Sequence, residues 1–228
     1  MKVAILGAMP EEIIPILGEL ANYKIKEYAN NSYYLSEYHG HDIIVAYSKV
    51  GKVFAALSAT IMIEHFGAEV LLFSGVAGGG SNDISIGDIV VATETVQHDM
   101  DITAFGRQKG DAPGSKVFIE TCKQLAGKLK KIAMESGLVL KEGVVATGDQ
   151  FIHSVEIKKI IVDHFQAKAI EMEGGSVNLV CHELKVPCVI LRAISDTSDG
   201  QAVENFPKFA ELMAKKSAKL ILSLVKSL

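Results

Sequence analysis

Only two arginines, Arg107 and Arg192, stand among the 23 basic residues of this 228-residue chain, and tryptophan is missing altogether. The net charge of −4 leaves no basic excess for the stripe that a nucleic-acid footprint requires. The three cysteines, Cys122, Cys181 and Cys188, are odd in number and form no CxxC pair. That excludes a disulfide framework and reads as reduced, packing thiols. No apolar run approaches the ~20 residues of a membrane helix. The chain opens directly into Val3-Ala4-Ile5-Leu6, with one lysine before it and glutamates soon after, which is the pattern of a strand and not of a signal peptide. The expectation is a soluble cytoplasmic protein with neither nucleic-acid nor membrane partners.

Apolar runs and amphipathic stretches alternate from end to end. Residues 2–8 predict a buried strand, and Pro10 opens a helix through about Leu20, with proline in the early-helix position that it tolerates. Tyr33–Tyr38 and Asp42–Ser48 flank His39-Gly40-His41 as a hairpin. Val53–Phe66 reads as a helix and Val70–Ser74 as a buried strand that ends in a glycine-rich turn, Gly75-Val76-Ala77-Gly78-Gly79-Gly80. Further strands are expected at 89–93, 142–146, 167–170 and 186–191, and helices at 117–136, 155–165, 174–184 and 206–224. Residues 99–115 are a polar, glycine-bearing loop. No repeat or linker divides the chain. The expected fold is a single α/β domain over residues 1–228, with a central mixed β-sheet flanked by helices.

Three acidic clusters fall where apolar strands run out: Glu11-Glu12, Glu171-Met172-Glu173 and Arg192-Ala193-Ile194-Ser195-Asp196. In open α/β sheets, ligands bind beyond the carboxyl ends of the strands. Carboxylates gathered there repel one another, so their convergence points to acid–base chemistry on a small polar substrate. Each cluster also has a plainer reading. Glu12 lies in the first turn of its helix, where the dipole favours an ionised carboxylate. It is equally an ordinary helix-start acid. Glu171 and Glu173 project to one face if the chain is extended, and Glu173 suits the grip on a vicinal diol; the plainer alternative is a capping acid. Arg192 and Asp196 share a strand face, as a salt bridge would. Near Glu12 and Glu173, burial and like charge would instead keep Asp196 protonated and able to donate.

The glycine run matches neither GxGxxG nor a Walker A pattern. His39 and His41 surround a turn glycine and read as solvated. No zinc-site spacing and no GxSxG elbow occurs, so no metal is expected from the residues.

Taken together, Ile5-Leu6-Gly7-Ala8-Met9-Pro10-Glu11-Glu12, Ser74-Gly75-Val76-Ala77-Gly78-Gly79, Asp101-Ile102-Thr103-Ala104-Phe105-Gly106, Thr147-Gly148-Asp149-Gln150-Phe151-Ile152, Glu171-Met172-Glu173 and Arg192-Ala193-Ile194-Ser195-Asp196 occur in this order. Over essentially its whole length the chain resembles bacterial 5′-methylthioadenosine/S-adenosylhomocysteine nucleosidases. Through Tyr47-Ser48-Lys49-Val50-Gly51-Lys52 and Gln97-His98-Asp99 it resembles the branch that also cleaves 6-amino-6-deoxyfutalosine.

The resemblance implies a nucleoside-phosphorylase-like fold, a homodimer, and hydrolysis between adenine N9 and ribose C1′ without a cofactor. It implies Asp196 as the acid toward adenine N7 and Glu12 as the base for water. Glu173 and the backbone of Met172 would hold the ribose. Phe151 would stack on adenine and the backbone of Ile152 would bind its edge. Met9, Val50 and Phe206 would line the ribose and 5′ side. Arg192 and Ser195 would support the water and Asp196. Ile102, Phe105 and Pro113 would close the 5′ pocket from the other subunit. Val76 departs from relatives with a hydroxyl there, so its loop, Gly78 included, is assigned backbone roles only. The readings left open are a phosphorylase of the same fold, which needs basic groups for its phosphate, and a non-catalytic nucleoside binder.

Overall fold

The computed structural model describes residues 1–197 and 202–228, with side chains of the last segment from Phe209 onward. Its strands are β1 (Lys2–Gly7), β2 (Lys24–Tyr28), β3 (Asn31–Tyr38), β4 (His41–Tyr47), β5 (Val70–Gly79), β6 (Ile89–Gln97), β7 (Ile119–Glu120), β8 (Leu140–Thr147), β9 (Ala167–Glu171) and β10 (Cys188–Asp196). The helices are α1 (Pro10–Leu17), α2 (Lys52–Thr60), α3 (Lys123–Glu135), α4 (Val155–Phe165), α5 (Gly174–Glu183) and α6 (Ala202–Lys226).

All ten strands form one mixed sheet. β1 lies parallel between β4 and β5, and the β4–β3–β2 meander extends that edge antiparallel. Beyond β5 the pairings close on themselves, running β5–β10–β6–β8–β9 and back to β5. The strands of this ring are rich in β-branched residues and buried on both sides, as β10 shows along its whole length. One apolar layer joins the sheet to α1, α3 and α6. A second, containing Phe73, Ile190 and Ile194, packs under α2 and α5. The smaller third includes Ile161 and Phe165 of α4.

Most expected elements are present, with four corrections. The run from Gly75 is no turn: β5 continues through it to Gly79, in register with β10. A Cβ on Gly75 would overlap Arg192 Nη1 and lie 2.5 Å from Glu12 Oε1, so the missing side chain makes room for charged neighbours. The expected helix over 117–136 is split, because Ile119–Glu120 pairs with β6 before α3 begins. The Val53–Phe66 helix passes at residue 61 into a π-helical turn, Ile61–His65. The exposed strand β2, with little apolar character, was not expected.

Register sets the position of the acids. Asp196 on β10 and Ile170 on β9 flank Gly78 of β5 from opposite sides. Glu171 and Asp196 therefore straddle the end of one strand. α1 starts three residues after β1 and carries Glu12 to the same end.

Candidate active site

A cavity of about 400 Å³ opens at that end, lined by Ala8, Met9, Glu12, Val50, Val76, Ala77, Gly78, Phe151, Ile170, Glu171, Met172, Glu173 and Asp196. Apart from its four carboxylates the lining is apolar or backbone, the usual make-up of a small-molecule site. Ile152 lines a smaller adjoining recess with Gln150 and Phe151. Met9, Glu12, Val50, Gly78, Phe151, Met172, Glu173 and Asp196, separate in sequence, thus share one cavity wall.

Glu12 serves two ends at once. Its Oε2 accepts the backbone N–H groups of Ala8 (2.5 Å) and Met9 (3.0 Å), capping α1 as a helix-start acid does. Its Oε1 accepts the Val76 N–H at 2.8 Å, across to β5. A carboxylate has about four acceptor positions, so capacity remains on the cavity side. Burial raises its pKa above 4.5, against the opposing charge of Arg192 and the three backbone hydrogen bonds. The dipole argument for a readily ionised Glu12 is overridden, since desolvation of the charged form is the larger effect.

Arg192 is completely buried, with its guanidinium 4.1 Å from the centre of the Phe73 ring. It pairs through Nη2 with Glu171 and stands 3.9 Å from Glu173 Oε2. The ion pairs of Arg192 are to these two glutamates, which β9 and the start of α5 bring to the guanidinium. Glu171 also accepts from the Thr147 hydroxyl and from the N–H groups of Glu173 (3.1 Å) and Gly174 (2.6 Å). Strand alternation does not bring Glu171 and Glu173 together: Glu173 has left the strand (φ −137°, ψ −41°) and stands at the N-cap position of α5 without a side-chain capping hydrogen bond. Its Oε1 accepts the Gly51 N–H at 2.8 Å. Burial, and then the Glu171 charge, push its pKa up to about 8 against the pull of Arg192.

Asp196 is 1% exposed and its Oδ2 accepts from the Ser195 hydroxyl at 3.3 Å. Ser195 is fully buried at 3.4 Å from the Ala77 carbonyl. Ile102, Phe105 and Pro113 stand outside the cavity lining, and Phe105 is 84% exposed. The Phe206 side chain lies outside the described residues. Ile170 and the Ala8 and Ala77 walls were not expected as site residues. Glu171 was expected only as one of the clustered acids, without a role of its own. Among the described residues no group of three or more His, Cys, Asp or Glu is placed to hold a metal, and no helix is long and apolar enough to cross a membrane.

Residues 2–226 match the family model of the phosphorylase superfamily. The chain belongs to that superfamily. Within the superfamily it is similar to the aminodeoxyfutalosine nucleosidase of Campylobacter jejuni, 48% identical over the full length of both chains. A solved structure of a putative 5′-methylthioadenosine/S-adenosylhomocysteine nucleosidase from Francisella philomiragia is 55% identical. It superposes with a TM-score of 0.98, covering 100% of this chain and 99% of that one. A Helicobacter pylori nucleosidase mutant holding 5′-methylthioadenosine in its active site is 48% identical, with TM-score 0.98 and the same coverage.

Proposed function

We propose that this chain hydrolyses the N-glycosidic bond of 5′-substituted adenine nucleosides: 5′-methylthioadenosine, S-adenosylhomocysteine and 6-amino-6-deoxyfutalosine. The observation that carries the reading is a cavity with four carboxylates and, among the described residues, no lysine or arginine in its lining. A transition state with positive charge growing on the ribose gains from those carboxylates that are ionised, and more so in a dry site. In this reading Glu12, fixed by three backbone N–H groups, takes the proton of the attacking water. Asp196, across Gly78 from Ile170, gives a proton toward the leaving adenine. Glu173 grips the ribose hydroxyls beside Met172, Phe151 stacks on the base, and Ile152 meets its edge. Met9 and Val50 line the ribose and 5′ side. Phe206 is assigned there by resemblance alone.

A phosphorylase is the rival from the same superfamily. Its phosphate would need cations; Arg107 pairs with Asp111 at the surface, and Arg192, paired through Nη2 with Glu171, is not part of the cavity lining. Water is the nucleophile that four carboxylates tolerate. A non-catalytic nucleoside binder would need the diol grip but not the Glu12–Asp196 pair. Adenine release under steady-state conditions separates the two, and kinetics on the three nucleosides side by side identify the preferred substrate.

The homodimer and the cytoplasmic location belong to the same proposal. Val53, Phe54 and Leu57 of α2 are exposed apolar side chains, as is Phe105, which is more apolar surface than a monomer usually leaves uncovered. A second copy would bring Ile102, Phe105 and Pro113 over the 5′ end of the cavity. The three cysteines are free thiols, in keeping with a reducing compartment.

A further inference from the structure

Val50 and Phe151, both partly exposed, line the cavity from two loops far apart in sequence. Three residues join those loops in a closed ring of contacts. Lys52 Nζ pairs with Asp99 Oδ1 at 2.7 Å, Asp99 Oδ2 accepts the Asp149 N–H at 2.9 Å, and Asp149 Oδ1 accepts the Lys52 N–H at 2.8 Å. Directly before Lys52, Gly51 gives its N–H to Glu173.

The segment so held is conformationally costly. Lys49 has φ +76° and Gly51 has φ +102°. A non-glycine residue with positive φ persists only where its surroundings hold it. A Cβ at Gly51 would come within 3.1 Å of Asp149 Oδ1, so the ring and the glycine fit one another closely. Burial works against ionisation of Asp99, but the Lys52 and Asp149 hydrogen bonds outweigh it and keep the carboxyl below its ordinary range. The Asp99 carboxyl is therefore ionised at neutral pH.

We infer that Lys52, Asp99 and Asp149 form a latch that holds the Gly51 N–H on Glu173 and thereby sets how tightly the ribose hydroxyls are gripped. They are positioning residues: none is part of the cavity lining, and each acts through Gly51 and Glu173. The inference deepens the nucleosidase reading above and rests on it for the identity of the ligand. Breaking the Lys52–Asp99 contact frees the 49–52 segment to relax, and Glu173 then loses its fixed N–H partner. Discrimination for the diol falls, while the Glu12–Asp196 machinery is left in place.

The test uses the full chain with Asp99→Ala, Asp99→Asn, Lys52→Met and the Asp99→Ala/Lys52→Met double variant. Each is measured on 5′-methylthioadenosine and on its 2′,3′-dideoxy analogue, by steady-state kinetics and by calorimetric binding. On the diol substrate Asp99→Ala should raise KM and Kd roughly tenfold, the loss expected for a charge-assisted contact, with kcat changed less than about threefold. On the dideoxy analogue the same variant should change either constant by less than about twofold. Lys52→Met should match it, and the double variant should be no worse than either single one, since both break one ring. Asp99→Asn retains an acceptor for Asp149 and should fall between, and it decides the matter if Asp99→Ala does not fold. Equal losses on both nucleosides, or folded variants with unchanged KM and Kd, would overturn the latch. Wild-type protein that binds both nucleosides yet releases no adenine would instead remove the nucleosidase reading, and the binding constants would still judge the latch.

Discussion

Arg192 and Glu171 form an ion pair in which the arginine side chain is 0% and the glutamate side chain 2% exposed. A buried pair of this kind adds little net stability, yet removing one partner strands the other charge in a low-dielectric interior. Here the arginine faces two glutamates and lies beside Glu12, so it neutralises the rear of the acidic wall.

Arg192→Met should therefore destabilise the fold by about 3–5 kcal/mol, the cost of an uncompensated buried charge. Adding Glu171→Gln should recover part of that loss. Urea unfolding of the single and double variants checks this; an additive double variant would mean that the two side chains are not coupled in stability.

Stability should also fall as pH rises from about 4.5 toward 8. Burial and the Glu171 charge raise the folded-state pKa of Glu173 to about 8 from an ordinary value of 4.5. Between those values the folded state holds a proton that the unfolded state has lost. This contribution is complete below pH 4.5 and is lost as pH climbs through the window. Glu12, also raised by burial, acts with the same sign. Melting temperatures of wild type and Glu173→Gln across pH 4.5–8 should show a downward slope that is shallower in the variant.

The sequence makes the acids legible as candidates because each follows an apolar run, and strand ends are where such residues can meet. It does not disclose their partners. Arg192 and Asp196 share a strand, so local spacing pairs them, whereas the fold takes Arg192 to Glu171 through β10, β5 and β9. Likewise the glycine run reads locally as a turn. The three-dimensional crowding of Arg192 and Glu12 explains the missing side chain at Gly75 inside a strand. The closing of the sheet into a ring depends on the β9–β5 pairing, which covers two residues and leaves no pattern in the sequence.

Sedimentation should find a dimer, and Phe105→Asp should shift it toward monomer. The variant should also raise KM for nucleosides with an apolar 5′ group, if the partner's loop closes that end of the cavity. A fully active wild-type monomer would contradict both the dimer and the shared pocket.

Glu12→Gln and Asp196→Asn should each slow turnover by roughly 10²–10⁴-fold, the usual range for losing a general base or acid. Much of the ligand affinity should remain. If both acids were only structural, the variants would melt at lower temperature and turn over normally in the folded fraction.

The nature of the nucleophile is tested most directly by the products. The protein is incubated with 5′-methylthioadenosine in chelator-treated buffer, with and without added phosphate, and the products are separated. The account predicts adenine and 5-methylthioribose at the same rate in both buffers. Turnover that depends on phosphate and yields the ribose 1-phosphate would contradict it.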